Sequence, residues 1–191
     1  ANGVGTDPDG YRDPVFDGRY VYFPPADNGT GPHSEVLRYD TQADFGTPGA
    51  WTTYDPIANG VGTSTGDFRN AYFDGRYVYF VPYGTPRHGE FLRYDTTADF
   101  STASSWTAYD PGANGVGNDP VGYLATAFDG QYLYFAPDSN GSAQHGEVLR
   151  FDTSASFTSS SSWTAYTPDD NGVGTDPRGY FGAIFDGRYV Y

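Results

Sequence analysis

The chain contains no cysteine and no lysine, and all 10 of its basic residues are arginine. Without cysteine it has neither a disulfide framework nor a thiolate nucleophile. Its net charge of -14 argues against a nucleic-acid partner, because phosphate binding needs clustered positive charge. It also lacks an apolar run long enough to span a bilayer, so we expect no membrane insertion.

The sequence is one unit written repeatedly. Phe16-Asp17-Gly18-Arg19-Tyr20-Val21-Tyr22 returns from Phe73, from Phe128 with two substitutions, and from Phe185. An Asn-Gly-Val-Gly run at positions 2, 59, 114 and 171 and a tryptophan at 51, 106 and 163 keep the same register. Repeats of this length are typical of solenoids, propellers and arrays.

Each repeat predicts four antiparallel strands. In the second repeat, aromatic and β-branched runs predict strands at 68–73, 76–82, 90–94 and 106–109, with Asp74-Gly75 as a type I′ hairpin turn. Such units are the blades of a β-propeller, and an all-β solenoid of the same units is the structural alternative. We place the units at about 11–56, 68–111 and 123–168, with a half unit at 180–191, in a single repeat array.

The tyrosines and the tryptophan of each unit carry a resemblance to a known family. The units resemble β-propeller repeats of large secreted bacterial proteins and are broadly kelch-like, over the whole chain. The resemblance implies an all-β, propeller-like fold and a secreted or cell-surface location.

The half unit has a consequence for assembly. Both ends of the chain carry the first and second strands, so neither end supplies the third and fourth strands that the half unit lacks. We therefore expect either continuation into further repeats or self-association with neighbouring chains.

Histidine and glutamate occur only as His-x-Glu, at the predicted start of each third strand. Residues two apart on a strand share a face, so each pair can meet. The pair is either an ion pair or hydrogen bond that anchors the loop between the second and third strands, a ligand contact, or part of a metal site, although zinc needs about four ligands. The candidates are His33, Glu35, His88, Glu90, His145 and Glu147.

The loop that leads into the half unit is a weak calcium candidate. Its oxygen-bearing side chains are Asp169, Asp170, Asn171 and Asp176. Closely spaced carboxylates suit calcium, but the same residue types serve tight turns. We expect no other cofactor.

The connections after the second and fourth strands leave the same end of an antiparallel unit, which is therefore the predicted ligand face. Tyr83, Tyr123 and Tyr180 lie near it and can either stack on sugar rings or pack in the core. Asn28 and Asn140 begin glycosylation sequons in equivalent loops, which favours an extracellular protein.

These patterns predict an acidic, glycosylated extracellular protein with a structural or adhesive role, in an array or filament. The alternative is a lectin-like propeller with one weak carbohydrate site per blade, which gains avidity by repetition. We expect no enzyme, because the acidic residues repeat in every unit whereas catalysis generally gives each group a distinct environment.

Overall fold

The structure is a computed structural model that describes residues 3–6 and 8–191. Over these residues the chain is all-β, with three four-stranded antiparallel sheets whose strands follow one another in sequence order. The first sheet contains β1 (Val15–Phe16), β2 (Tyr20–Phe23), β3 (Val36–Asp40) and β4 (Trp51–Tyr54). The second contains β5 (Phe68–Phe73), β6 (Tyr77–Pro82), β7 (Phe91–Asp95) and β8 (Trp106–Tyr109), and the third contains β9 (Tyr123–Phe128), β10 (Tyr132–Pro137), β11 (Val148–Asp152) and β12 (Trp163–Tyr166).

The repeated four-stranded unit is therefore confirmed. In the second repeat the predicted first and fourth strands have the observed bounds, the second begins one residue later, and the third is shifted by one residue at both ends. Short 3₁₀ helices precede the fourth strands or follow them: Pro48–Ala50, Ala103–Ser105, Gly112–Asn114, Ser160–Ser162 and Asp169–Asn171.

The predicted type I′ turn is wrong. The Asp74 N–H donates to the Tyr77 carbonyl at 3.2 Å, so the two central residues of the turn are Gly75 and Arg76. Type I′ needs positive φ at both central residues, but only Gly75 has it, at 106°. A glycine at the first central position is the pattern of a type II′ turn, which also matches the twist of the flanking strands.

The half unit forms a hairpin with little strand character. In the described chain its only ladder pair is the bridge between Phe185 and Val190. Ile184 and Tyr191 exchange both backbone hydrogen bonds, at 2.9 and 3.0 Å. A two-stranded hairpin is marginally stable by itself, which explains why the two predicted strands shrink to this terminal hairpin (residues 184–191).

Each sheet has two different faces. We call the side that holds the tryptophan the Trp face and the opposite side the Tyr face. Strand pairing places Tyr22 opposite Arg38, and Val36 opposite Tyr54, on the Tyr face of the first sheet. The Trp face of that sheet holds Phe23, Leu37, Tyr39 and Trp51.

The chain forms two compact units. The first unit runs up to Gly84 and adds Phe91–Ala108, so it contains the first sheet and nearly all of the second. Its core joins the Tyr face of the first sheet to the Trp face of the second, through Tyr22, Val36, Leu92, Tyr94, Phe100 and Trp106. The second unit contains Thr85–Glu90 and Tyr109–Tyr191, including the third sheet and the terminal hairpin.

Candidate functional site

The glutamates of the His-x-Glu pairs hold the loop that enters a repeat. Glu35, directly before β3, accepts the Thr6 N–H at 3.1 and 3.2 Å on its two oxygens. In the third repeat, Glu147 is only 6% exposed and accepts the N–H groups of Asn118 and Asp119 at 2.8 and 3.3 Å. The anchored segment in these repeats is thus the loop before the first strand, not the loop between the second and third strands.

The histidines of the first and third repeats pack edge-on against a tyrosine. The rings of His33 and Tyr11 are 5.4 Å apart at 71°, and those of His145 and Tyr123 are 5.9 Å apart at 65°. Nε2 is buried without a hydrogen-bond partner in both histidines. Packing therefore fixes the orientation of the two imidazoles, and ligand contact by them and by His88 and Glu90 stays a prediction.

Among the described residues, no group of three or more His, Asp or Glu side chains is placed to hold a metal ion. In the calcium candidate, Asp169 to Asn171 form a short 3₁₀ helix that includes Asp170. The carboxylates of Asp169 and Asp176 each lie 2.8 Å from the Arg178 guanidinium. Arginine therefore neutralises two of the four proposed calcium ligands, and calcium binding stays a prediction.

A polar cleft of about 330 Å³ lies in the second unit beside the start of β11. Within it the Asn140 side-chain N–H donates to Asp119 at 2.9 Å, while Asp169 Oδ1 is buried without a hydrogen-bond partner. Three of its polar residues are particular to the third repeat, since Asp169, Asp170 and Arg178 stand where the second repeat has Gly112, Ala113 and Val121. The cleft offers donors and acceptors for a hydroxyl-bearing ligand.

The three tyrosine candidates have different environments. Tyr123 is fully buried against Phe135, and this burial raises its pKa well above the ordinary value. Tyr180 is 39% exposed and lines an apolar cleft of the second unit, and Tyr83 lies 5.9 Å from the guanidinium carbon of Arg12. Tyr123 thus packs in the core, which was the alternative role. Stacking of Tyr83 and Tyr180 on a sugar ring stays a prediction.

The two sequons lie in equivalent loops, as the repeat requires. The Asn28 side-chain oxygen accepts the Thr30 hydroxyl at 2.7 Å and its N–H at 3.0 Å. Asn140 accepts the Ser142 N–H at 3.0 Å in the same way. Glycosylation of either asparagine stays a prediction.

A serine pattern was missed by the sequence prediction. Residues 62–66 read Gly-Thr-Ser-Thr-Gly, which matches the letters of a hydrolase nucleophile elbow. An elbow is a sharp turn from a strand into a helix, but this segment connects β4 to β5. The segment therefore lacks the structural context that makes the elbow serine a nucleophile.

The sequence prediction also missed a carboxylate-to-tyrosine bond in the repeated turn. Asp74 accepts the Arg76 and Tyr77 N–H groups on one oxygen and the Tyr79 hydroxyl on the other, at 2.7–2.8 Å. The Asp17 and Tyr22 pair and the Asp129 and Tyr134 pair repeat the contact. Burial, together with the bond to Asp74, raises the pKa of Tyr79. The signal was an aspartate five residues before a tyrosine in all four copies.

One aromatic face is uncovered. Phe45 is 66% exposed and Trp51 is half-buried, whereas the equivalent Phe100 and Trp106 are 1% and 4% exposed. An apolar cleft of about 380 Å³ lies at this Trp face of the first sheet, lined by Val4, Pro8, Leu37, Phe45 and Trp51 among others. This cleft is therefore a candidate contact surface.

Comparison with known proteins gives no family. No model of a known protein family matches the chain, and no curated protein sequence is similar to it. In the part of the chain that the structure describes, no helix has the length and apolar character needed to cross a membrane.

Proposed function

We propose that this chain is an extracellular structural or adhesive repeat protein that works as a segment or subunit of a larger array. The architecture supports the proposal, because the same four-stranded sheet recurs with the same side chains at the faces. The two sequons support a secreted or cell-surface location. The resemblance of the units to kelch-like repeats of large secreted bacterial proteins is part of this proposal.

The uncovered Trp face of the first sheet carries the proposal. In the first unit, the Trp face of the second sheet is covered by rings from the preceding repeat, with Tyr54 stacked 5.8 Å from Trp106. The first sheet presents the same residue types without such a cover. A repeat protein whose stacking face is open has a ready surface for a further sheet.

Electron microscopy of native material tests the structural role. We expect regular filaments or a surface layer in which the repeat is visible. Dispersed particles of single chains, in material that has never been denatured, would contradict it.

The polar cleft of the second unit favours one other function, a carbohydrate-binding module. Saccharide hydroxyls pair with carboxylate, amide and guanidinium groups, and the cleft offers Asp119, Asn140 and Arg178. A glycan array decides: reproducible binding that Arg178→Ala abolishes, and that Arg188→Ala outside the cleft preserves, supports the lectin. A silent array together with visible filaments supports the scaffold.

Calcium would act in either role by stabilising the third repeat. A site that binds only the folded state must raise the melting temperature. Thermal melting with calcium and with EGTA is the measurement, and equal melting temperatures would remove the calcium hypothesis.

A further inference from the structure

The contacts within the first unit show what covers a Trp face. Tyr22 lies 6.2 Å from Phe100, and the Arg38 guanidinium carbon lies 4.2 Å from the centre of the Phe100 ring. Together with Tyr54 on Trp106, these side chains come from the Tyr face of the first sheet. In the second unit, Tyr109 stacks on Trp163 at 6.0 Å in the way that Tyr54 stacks on Trp106. The covering set is therefore Tyr, Arg and Tyr.

The third sheet presents this covering set at its surface. Tyr134, Arg150 and Tyr166 correspond by the repeat to Tyr22, Arg38 and Tyr54. The Arg150 guanidinium lies 4.4 Å from the centre of the Tyr132 ring, and the Arg38-to-Tyr20 distance is 4.3 Å. Tyr166 is 49% exposed. The arginine of the set thus lies against its neighbouring tyrosine as it does in the first unit.

The terminal hairpin matches the hairpin that begins the first sheet. Residues 185–191 and 16–22 are the same seven residues. Asp186 accepts the N–H groups of Arg188 and Tyr189 at 2.8 and 2.7 Å, as Asp17 accepts those of Arg19 and Tyr20. Tyr189 and Tyr191 are 51% and 69% exposed. The terminal hairpin therefore carries three of the four residues that β2 uses to pair with β3, and only the counterpart of Phe23 is missing.

We propose that copies of this 191-residue chain associate head to tail: the Trp face of the first sheet in one copy packs on the Tyr face of the third sheet in the next. The terminal hairpin then occupies the position of β1 and β2 beside β3 of the partner copy. Both hairpins pair with the same β3, so the terminal hairpin of one copy displaces β1 and β2 of the next copy. Tyr189, Val190 and Tyr191 then repeat the ladder pairs of Tyr20, Val21 and Tyr22 with β3, whereas the pair between Phe23 and Leu37 is lost.

This inference rests on the proposed structural function and adds its contact surface. Phe45 is 66% exposed and Tyr166 is 49% exposed. Substituting either residue therefore removes contact area between copies while the fold of each copy is preserved. We expect sedimentation velocity of the wild-type chain to show a species of about twice 20.7 kDa or larger that grows with concentration. Phe45→Ser or Tyr166→Ser weakens association by about tenfold or more, since each removes a central aromatic contact.

Mixing the two variants is the sharpest test. A Phe45→Ser copy keeps an intact Tyr face on its third sheet, and a Tyr166→Ser copy keeps an intact Trp face on its first sheet. Their mixture therefore forms a one-to-one dimer and nothing larger. Phe181→Ser is the matched control, because Phe181 is 78% exposed and lies outside the three four-stranded sheets, and this variant associates like wild type. A mixture that stays monomeric, or single variants that associate normally, would overturn the head-to-tail contact.

Disulfide trapping tests the exchange of the hairpin in a chain that has no cysteine of its own. Tyr20 pairs with Asp40, so exchange brings Tyr189 of one copy opposite Asp40 of the next. Oxidation of a tagged Asp40→Cys chain mixed with an untagged Tyr189→Cys chain gives a mixed disulfide. Asp95→Cys is the control, because Tyr77 already lies opposite Asp95, and it gives none.

The results separate the inference from the proposed function. Filaments in native material that persist in Phe45→Ser would leave the structural role standing and overturn this contact surface. A wild-type chain that remains at 20.7 kDa up to about 1 mM would overturn the self-association itself.

Discussion

At the scale of single residues, the repeated aspartate of the hairpin turn has more contacts than any turn requires. Asp74 binds two backbone N–H groups and the hydroxyl of Tyr79, which is 1% exposed. The carboxylate therefore joins the turn to the core. Removing it leaves donors without their acceptor, and that cost exceeds the value of an ordinary surface hydrogen bond.

We expect Asp74→Ala to lower the free energy of unfolding by about 1–3 kcal/mol, because buried donors lose their partner. Asp186→Ala in the terminal hairpin is the matched control, since Asp186 makes the same two backbone bonds and its tyrosine partner, Tyr191, is 69% exposed. Urea denaturation measures both. Equal effects of the two substitutions would show that burial of the tyrosine adds nothing to the value of its bond to aspartate.

The carboxyl group of Asp95 makes the free energy of unfolding depend on pH in the acid range. Burial opposes its ionisation, but hydrogen bonds from Arg76 and Thr97 outweigh burial and lower the pKa of Asp95 to about 2. Since the folded-state pKa lies below the ordinary value of 3.8, the stabilisation is complete above about pH 5 and is lost as pH falls through 3.8 toward 2.

We therefore expect Asp95→Asn to flatten the fall of stability between about pH 5 and pH 2, by on the order of 0.5–1 kcal/mol for a partly exposed ion pair. The third repeat supplies the control, because Asp152 faces Gln131 in place of arginine and Asp152→Asn should change the slope less. Denaturation at a series of pH values is the measurement. A larger change in Asp152→Asn would refute the contribution of Arg76.

At the scale of elements, a glycine before β5 allows the first two repeats of the first unit to approach. The Phe68 N–H donates to the Pro25 carbonyl at 2.7 Å, and the Asp67 N–H donates to the His33 carbonyl at 3.1 Å. Gly66 has φ of 83°, and a Cβ there would collide with the His33 carbonyl. The link between repeats therefore depends on the absence of a side chain.

Gly66→Ala should cost about 2 kcal/mol or more in unfolding free energy, because it adds a backbone collision to the strain of positive φ. Gly60 has the same φ of 83° with open space around its Cβ position, so Gly60→Ala reports the strain alone, about 1 kcal/mol. Thermal and urea unfolding compare the two. Similar losses would mean that the loop moves aside without cost.

At the scale of the whole molecule, equivalent residues of similar repeats differ in burial according to what covers them. Trp106 donates its indole N–H to the Phe100 carbonyl at 2.9 Å, and Trp51 donates to the Phe45 carbonyl at 3.0 Å. The hydrogen bond of the indole is thus the same in the two repeats. Trp106 is nevertheless 4% exposed and is stacked on Tyr54 of the preceding repeat, whereas Trp51 is half-buried.

We expect Trp106→Ala to lower the free energy of unfolding by about 3–5 kcal/mol, as for other buried aromatic residues. Trp51→Ala should cost less than about 2 kcal/mol at concentrations where the chain is monomeric, because less area is buried. Calorimetry or urea denaturation of the two variants is the measurement. Equal losses would contradict the uncovered state of the first Trp face.

The sequence by itself determined the repeat, the four strands of each unit and their order, because alternation and turn residues act over short distances. The bounds of Phe68–Phe73 and Trp106–Tyr109 followed from residues within those segments. Tertiary structure decided the rest: Glu35 reaches a loop 29 residues earlier, Tyr123 is buried, and Phe45 is exposed where Phe100 is not. Those outcomes depend on which surfaces meet, and similar repeats have different neighbours.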